Sequence, residues 1–133
     1  MPLLALLLPL LVGGNLRLFT WSGLDMRDMP GPAGVKMIAE LARGHTGRDW
    51  CTWLIACAMV LTGDDILAAA WLVMAAGGLG CIAAASLAGT ILSGWRAGMA
   101  AGMLVACWSS TQFTSLVIGA DGPSCALTWL GLA

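Results

Sequence analysis

Polar and apolar positions divide the chain into long apolar runs and short charged breaks. The first run, residues 1–13, reads MPLLALLLPLLVG. As a helix rising about 1.5 Å per residue it reaches about 20 Å, short of a hydrocarbon core of about 30 Å. Val12-Gly13-Gly14 offers the small residues of a signal cleavage site, but no Lys or Arg precedes the run and Pro9 interrupts it. A short or re-entrant anchor, or an uncleaved signal-like segment, is expected ahead of a cleaved signal.

Residues 14–49 form the polar stretch. Its first half carries Arg17, Asp25, Arg27 and Asp28, and Met29-Pro30-Gly31-Pro32 breaks any helix there. A short amphipathic helix is expected over 33–43. Val35, Ile38, Leu41 and Ala42 share one face, while Lys36, Glu40 and Arg43 share the other at spacings of four and three. Gly44 is a natural stop. Two placements remain open: in the membrane interface through Val35, Ile38 and Leu41, or packed on the chain's own spans.

Residues 50–63 (WCTWLIACAMVLTG) are the second apolar run, also short for a crossing unless the bilayer thins or Arg48 snorkels. Asp64 and Asp65 are expected to open the next helix, because carboxylates favour the positive N-terminal end. A paired-carboxylate cation site is the weaker alternative, and Gly63-Asp64-Asp65 as a polymerase signature has no polymerase domain around it. Residues 66–93 carry no charge and, at about 42 Å, exceed one straight crossing. Gly77, Gly78 and Gly80 in their middle mark a kink or a close helix contact. Residues 97–119 are the best single crossing by length, and 125–132, with Trp129, are a last apolar segment.

Composition turns these runs into a membrane assignment. The 133 residues are 59% hydrophobic and only 10% charged, against about 25% charged in a soluble domain. Tyr is absent, while seven Trp, some near segment ends, and eighteen Gly suit membrane helices. The expected fold is all-α: one membrane domain over 1–133 with three or four transmembrane helices and one interfacial helix. Residues 1–13 are its short anchor, 14–49 a cytoplasmic segment and 50–133 its helical membrane region. Basic residues set the orientation. The 14–49 segment holds Arg17, Arg27, Lys36, Arg43 and Arg48, the turn before the 66–93 run holds none, and Arg96 follows that run. The positive-inside rule places 14–49 and Arg96 in the cytoplasm and the C-terminus outside. A net charge of −1 gives no case for nucleic acid.

The strongest motif is a ladder of small residues. Gly77, Cys81, Ala85, Gly89 and Ser93 recur every fourth position, and Gly94, Gly98, Gly102, Ala106 and Ser110 repeat the spacing beyond a short turn. Such stripes let helix backbones approach closely, which is what drives association in lipid. A tight antiparallel hairpin is the simplest use. Self-association through the same grooves is compatible with it. On this reading Gly98→Ile separates the backbones, whereas Gly98→Ala keeps the residue small and is nearly silent.

Candidate chemistry is sparse. Cys51, Cys57, Cys81, Cys107 and Cys125 form no C-x-x-C pair and are expected to be free thiols, although Cys125 has the option of pairing between copies. His45 is the only histidine, without partners for a metal site or a catalytic triad. Asp121-Gly122-Pro123 reads as a turn. The runs 66–93 and 97–119 that carry the ladders contain no ionisable Asp, Glu, Lys or Arg, which argues against a pump or transporter. Residues 83–90 (AAASLAGT) are similar to part of the small channel peptide of hepaciviruses, over those eight low-complexity residues alone. No cofactor and no enzymatic activity are expected. Two function classes follow: a self-associating pore or permeabilising protein of the viroporin or holin kind, or a non-catalytic accessory subunit of a secretion, conjugation or respiratory assembly. The expected partners are the bilayer, copies of the chain and other membrane subunits.

Overall fold

The computed structural model describes residues 2–22, 32–44 and 50–108, with residues 128 and 131. Among them the chain is all-helical, with five helices and no strand: α1 (Pro2–Ser22), α2 (Pro32–Ala42), α3 (Trp50–Thr62), α4 (Ile66–Ser93) and α5 (Trp95–Cys107). The expected break at Met29-Pro30-Gly31, His45, Arg48, Ser110, Cys125, the Asp121 turn and Trp129 lie outside the described residues.

α1 corrects the first boundary. It runs unbroken past residue 13 to Ser22, through Pro9 and the Gly13-Gly14 pair. Proline removes one helical hydrogen bond, yet its ring is tolerated where tertiary neighbours take up the space, and Pro9 is fully buried. Nor do the polar residues after Gly13 end the helix. Asn15 Nδ2 donates to Leu11 O at 2.8 Å, and Arg17 Nη1 donates to Gly13 O at 3.0 Å. Both side chains turn back along their own helix, the direction helical side chains favour. Arg17, assigned from its charge to a cytoplasmic segment, is thereby built into an apolar helix and is only 4% exposed.

The α3–α4 connection follows the expected capping chemistry. Asp65 Oδ1 accepts from Leu67 N at 3.0 Å and Ala68 N at 3.1 Å, and Thr62 Oγ1 donates to Asp65 O at 3.1 Å. Gly63 and Asp64 turn the chain with φ of 65° and 67°. Asp65→Ala removes the cap and is expected to lower stability by about 1 kcal/mol, read as a reduced unfolding temperature. Asp64→Asn, which accepts no capping bond here, is the control expected to change little.

α4 is one continuous helix, so the central glycines do not interrupt it; Gly77 and Gly78 are buried in it instead. Its first half packs on α3 through a cluster of Leu41, Cys51, Ile55, Ala58, Ala69, Ala70 and Met74. Leu41 belongs to α2 and is buried in this cluster, with Ile38 packed beside it, so part of the apolar face of α2 rests on the chain's own helices. α2 seats on its own neighbours, while Val35 stays 53% exposed. The second half of α4 packs on α5 and α1. A single residue, Gly94, joins α4 to α5 at φ 88°, a conformation that favours glycine. α5 ends at Cys107, with Trp108 extended at φ −70°, ψ 119°. The expected crossing over 97–119 is therefore not one helix.

Among the described residues α4 alone is, by length and composition, long and apolar enough to cross a membrane; the apolar stretch Leu3–Phe19 of α1 and the whole of α3 are shorter. Large apolar side chains cover much of the outside, among them Leu4, Leu11 and Phe19 on α1 and Ile91 and Leu92 on α4.

Candidate functional site

The small-residue ladders meet where α1, α4 and α5 converge. Gly98 lies against α4 so closely that an added Cβ would strike Thr90 Oγ1 and sit 2.5 Å from Ser86 O and 2.9 Å from Thr90 N. Across the same seam, a Cβ on Gly89 would lie 2.9 Å from Gly98 Cα and 3.0 Å from Ala97 O. The hairpin is held backbone to backbone, and Thr90 Oγ1 is anchored within it by donating to Ser86 O at 2.7 Å. Gly77, Cys81, Gly98, Gly102 and Ala106 are buried, Ala85 and Gly89 are half-buried, and Ser93 and Gly94 are exposed at the turn.

A third ladder completes the site. Ala5, Pro9, Gly13 and Arg17 also recur every fourth residue, and all four are buried. A Cβ on Gly102 would meet Ser86 Oγ and both Cβ and Cγ of Pro9 at 2.8 Å. One on Gly13 would run into the Ile82 side chain and lie 3.3 Å from Ala106 Cβ. These pairings fix the register. α1 runs antiparallel to α4 (Pro9 by Ser86, Gly13 by Ile82) and parallel to α5 (Pro9 by Gly102, Gly13 by Ala106). The four-residue period was present in residues 5–17, but the proline and the arginine mask it when only small residues are counted.

Arg17 occupies the next rung of that ladder. Its Nη1 lies 3.1 Å from where a Gly13 Cβ would stand, so the missing side chain makes room for the guanidinium. The head group consequently sits near the level of Ile82. At about 1.5 Å per residue, that is about 24 Å from the start of α4 and about 17 Å from its end. An ionisable group placed deep inside apolar helices is costly and marks functional or structural demand. Charge has thus entered the ladder bundle from α1, although α4 carries none and α5 only Arg96 in its first turn. At the Pro9–Gly102 level of the same junction, Ser86 Oγ is fully buried with no hydrogen-bond partner among the described residues.

The remaining candidates are not brought to this site. Val35, Ile38 and Leu41 lie on α2 against the other half of α4. Cys51 and Cys81 are buried and Cys57 and Cys107 exposed, and none of the four is in a disulfide. Among the described residues no group of three or more His, Cys, Asp or Glu is placed to hold a metal ion. The junction is a site of packing and electrostatics: three backbones in close contact, with one cation held among them. No protein family model, curated protein or solved structure matches the chain.

Proposed function

We propose that this chain is a non-catalytic, multi-pass integral membrane protein that serves as an accessory subunit of a larger membrane assembly. The observation that carries this reading is where its small-residue seams point. Gly98 and Gly102 are filled by the chain's own α4 and α1, so the grooves best suited to binding copies of itself are already occupied. α3 and α5 have 13 residues each, about 20 Å as helices, and each covers only half of α4. Half-length helices in a bilayer are matched by neighbouring protein more readily than by lipid. The uncharged body of α4 lies between Asp64-Asp65 at one end and Trp95-Arg96 at the other, where Arg96 stacks 5.5 Å from the Trp95 ring centroid.

A second reading, a self-assembled pore, is favoured by the end of α5 partway along α4. Backbone that leaves a helix at membrane depth is tolerated where protein buries it or where it lines water. Reconstitution separates the two. The purified chain in vesicles is expected to retain an entrapped dye and to run as a monomer in mild detergent. Dye release rising steeply with protein-to-lipid ratio, together with one discrete oligomer, would replace the subunit reading by the pore.

A further inference from the structure

α5 stops where its own sequence carries no stop. Residues 103–118 contain neither Gly nor Pro and no charge, the usual signals that end a helix. Yet Trp108 is extended, and its N–H reaches Val105 O at 3.4 Å instead of the carbonyl one residue earlier. That bond serves Val105 O, and the last carbonyls of a helix otherwise find no i+4 donor within the helix. Away from water those acceptors need donors from elsewhere.

A donor lies on the next rung. Ala106, one residue before the end of α5, shares the Gly13 contact with the Arg17 guanidinium. That group carries five N–H donors in a planar fork, and Nη1 makes its bond to Gly13 O on the same side of α1. A cation is also favoured at the negative end of a helix. Burial of Arg17 and the early end of α5 are two unexplained features of the fold, and they coincide in space.

We propose that Arg17 is the stop of α5: its guanidinium donates to the carbonyls of the last turn and holds the helix at its present length. Without that donor Trp108 joins the helix. One side chain on another helix thus selects where α5 ends. The inference rests on the bilayer placement proposed above.

The experiment uses the full chain in lipid nanodiscs, with co-elution of protein and nanodisc testing the bilayer placement separately. Backbone carbon shifts and amide exchange of Trp108 are compared in the wild type, Arg17→Met and Arg17→Lys. Wild type is expected to show an extended Trp108. In Arg17→Met, Trp108 shifts to helical values and its amide exchanges about fivefold more slowly, as one net hydrogen bond provides. Arg17→Lys retains a cationic donor and keeps Trp108 extended. If Arg17→Met loses its fold, Arg17→Met with Trp108→Gly decides, because glycine supplies a helix stop of its own. Recovery of the fold supports the proposal. Failure to recover, or an unchanged Trp108 in embedded, folded Arg17→Met, overturns it.

Discussion

Gly98→Ala is expected to destabilise the protein markedly, against the ordinary view that alanine is a silent replacement for a helical glycine. The new methyl would meet Ser86 O and Thr90 N, both backbone atoms of α4 that cannot rotate aside. Relief requires α4 and α5 to separate, and forced overpacking of this kind costs about 1–3 kcal/mol. Gly98→Ile enlarges the intrusion and is expected to prevent the hairpin from closing. Leu104 is 67% exposed on the same helix, so Leu104→Ile is the matched control. Unfolding in a graded mixture of mild and denaturing detergent measures all three. Equal stability of Gly98→Ala and wild type would show that the seam is looser than described.

The second large effect is expected at the opposite half of α4. Ile55 and Met74 are fully buried in the cluster that joins α3 to α4 and receives Leu41 of α2. Ile55→Ala removes methyl groups from a closed apolar contact and is expected to cost about 2–5 kcal/mol, depending on how far the site collapses. Val35→Ser, on the exposed side of α2, is expected to change stability little. Ile55 and Gly98 contact different halves of α4 and share no partner, so their effects are expected to add to within about 0.5 kcal/mol. Strong coupling between them would mean that the two ends of α4 pack as one unit. The same detergent unfolding series, with the double variant included, reads both results.

Much of this architecture was legible in the order of residues. The small-residue spacing of Gly89, Gly98 and Gly102 foretold a hairpin, and the carboxylate pair foretold the Asp65 cap. Boundaries of α2 and α3 follow their charged flanks to within a residue or so. The failures share one cause, which is that tertiary neighbours overrode local signals. Pro9 read as a break, but its ring fills the space that Gly102 leaves. Arg17 read as a cytoplasmic charge, but its side chain reaches back to Gly13 O inside the bundle. The run 97–119 read as one crossing, yet α5 ends at Cys107 beside another helix's cation. Val35, Ile38 and Leu41 share a face, as their spacing required, but periodicity alone does not say whether lipid or protein covers that face. In the fold the chain's own helices cover Leu41, while Val35 on the same helix stays exposed.

The central claim is that α4 lies in a bilayer, and the accessibility of spin labels along its exposed side tests it most directly. Labels at Ala76, Leu87 and Ile91 on α4 are compared with labels at Asp64 and Trp95 beyond its two ends, in a background lacking Cys57, Cys107 and Cys125. The protein is reconstituted in phospholipid vesicles, and each label is challenged with oxygen, which concentrates in lipid, and with a water-soluble nickel chelate. Oxygen is expected to dominate at Ala76 and Leu87, and the chelate at Asp64 and Trp95. Chelate access at every position, with no oxygen-rich interval along α4, would contradict it.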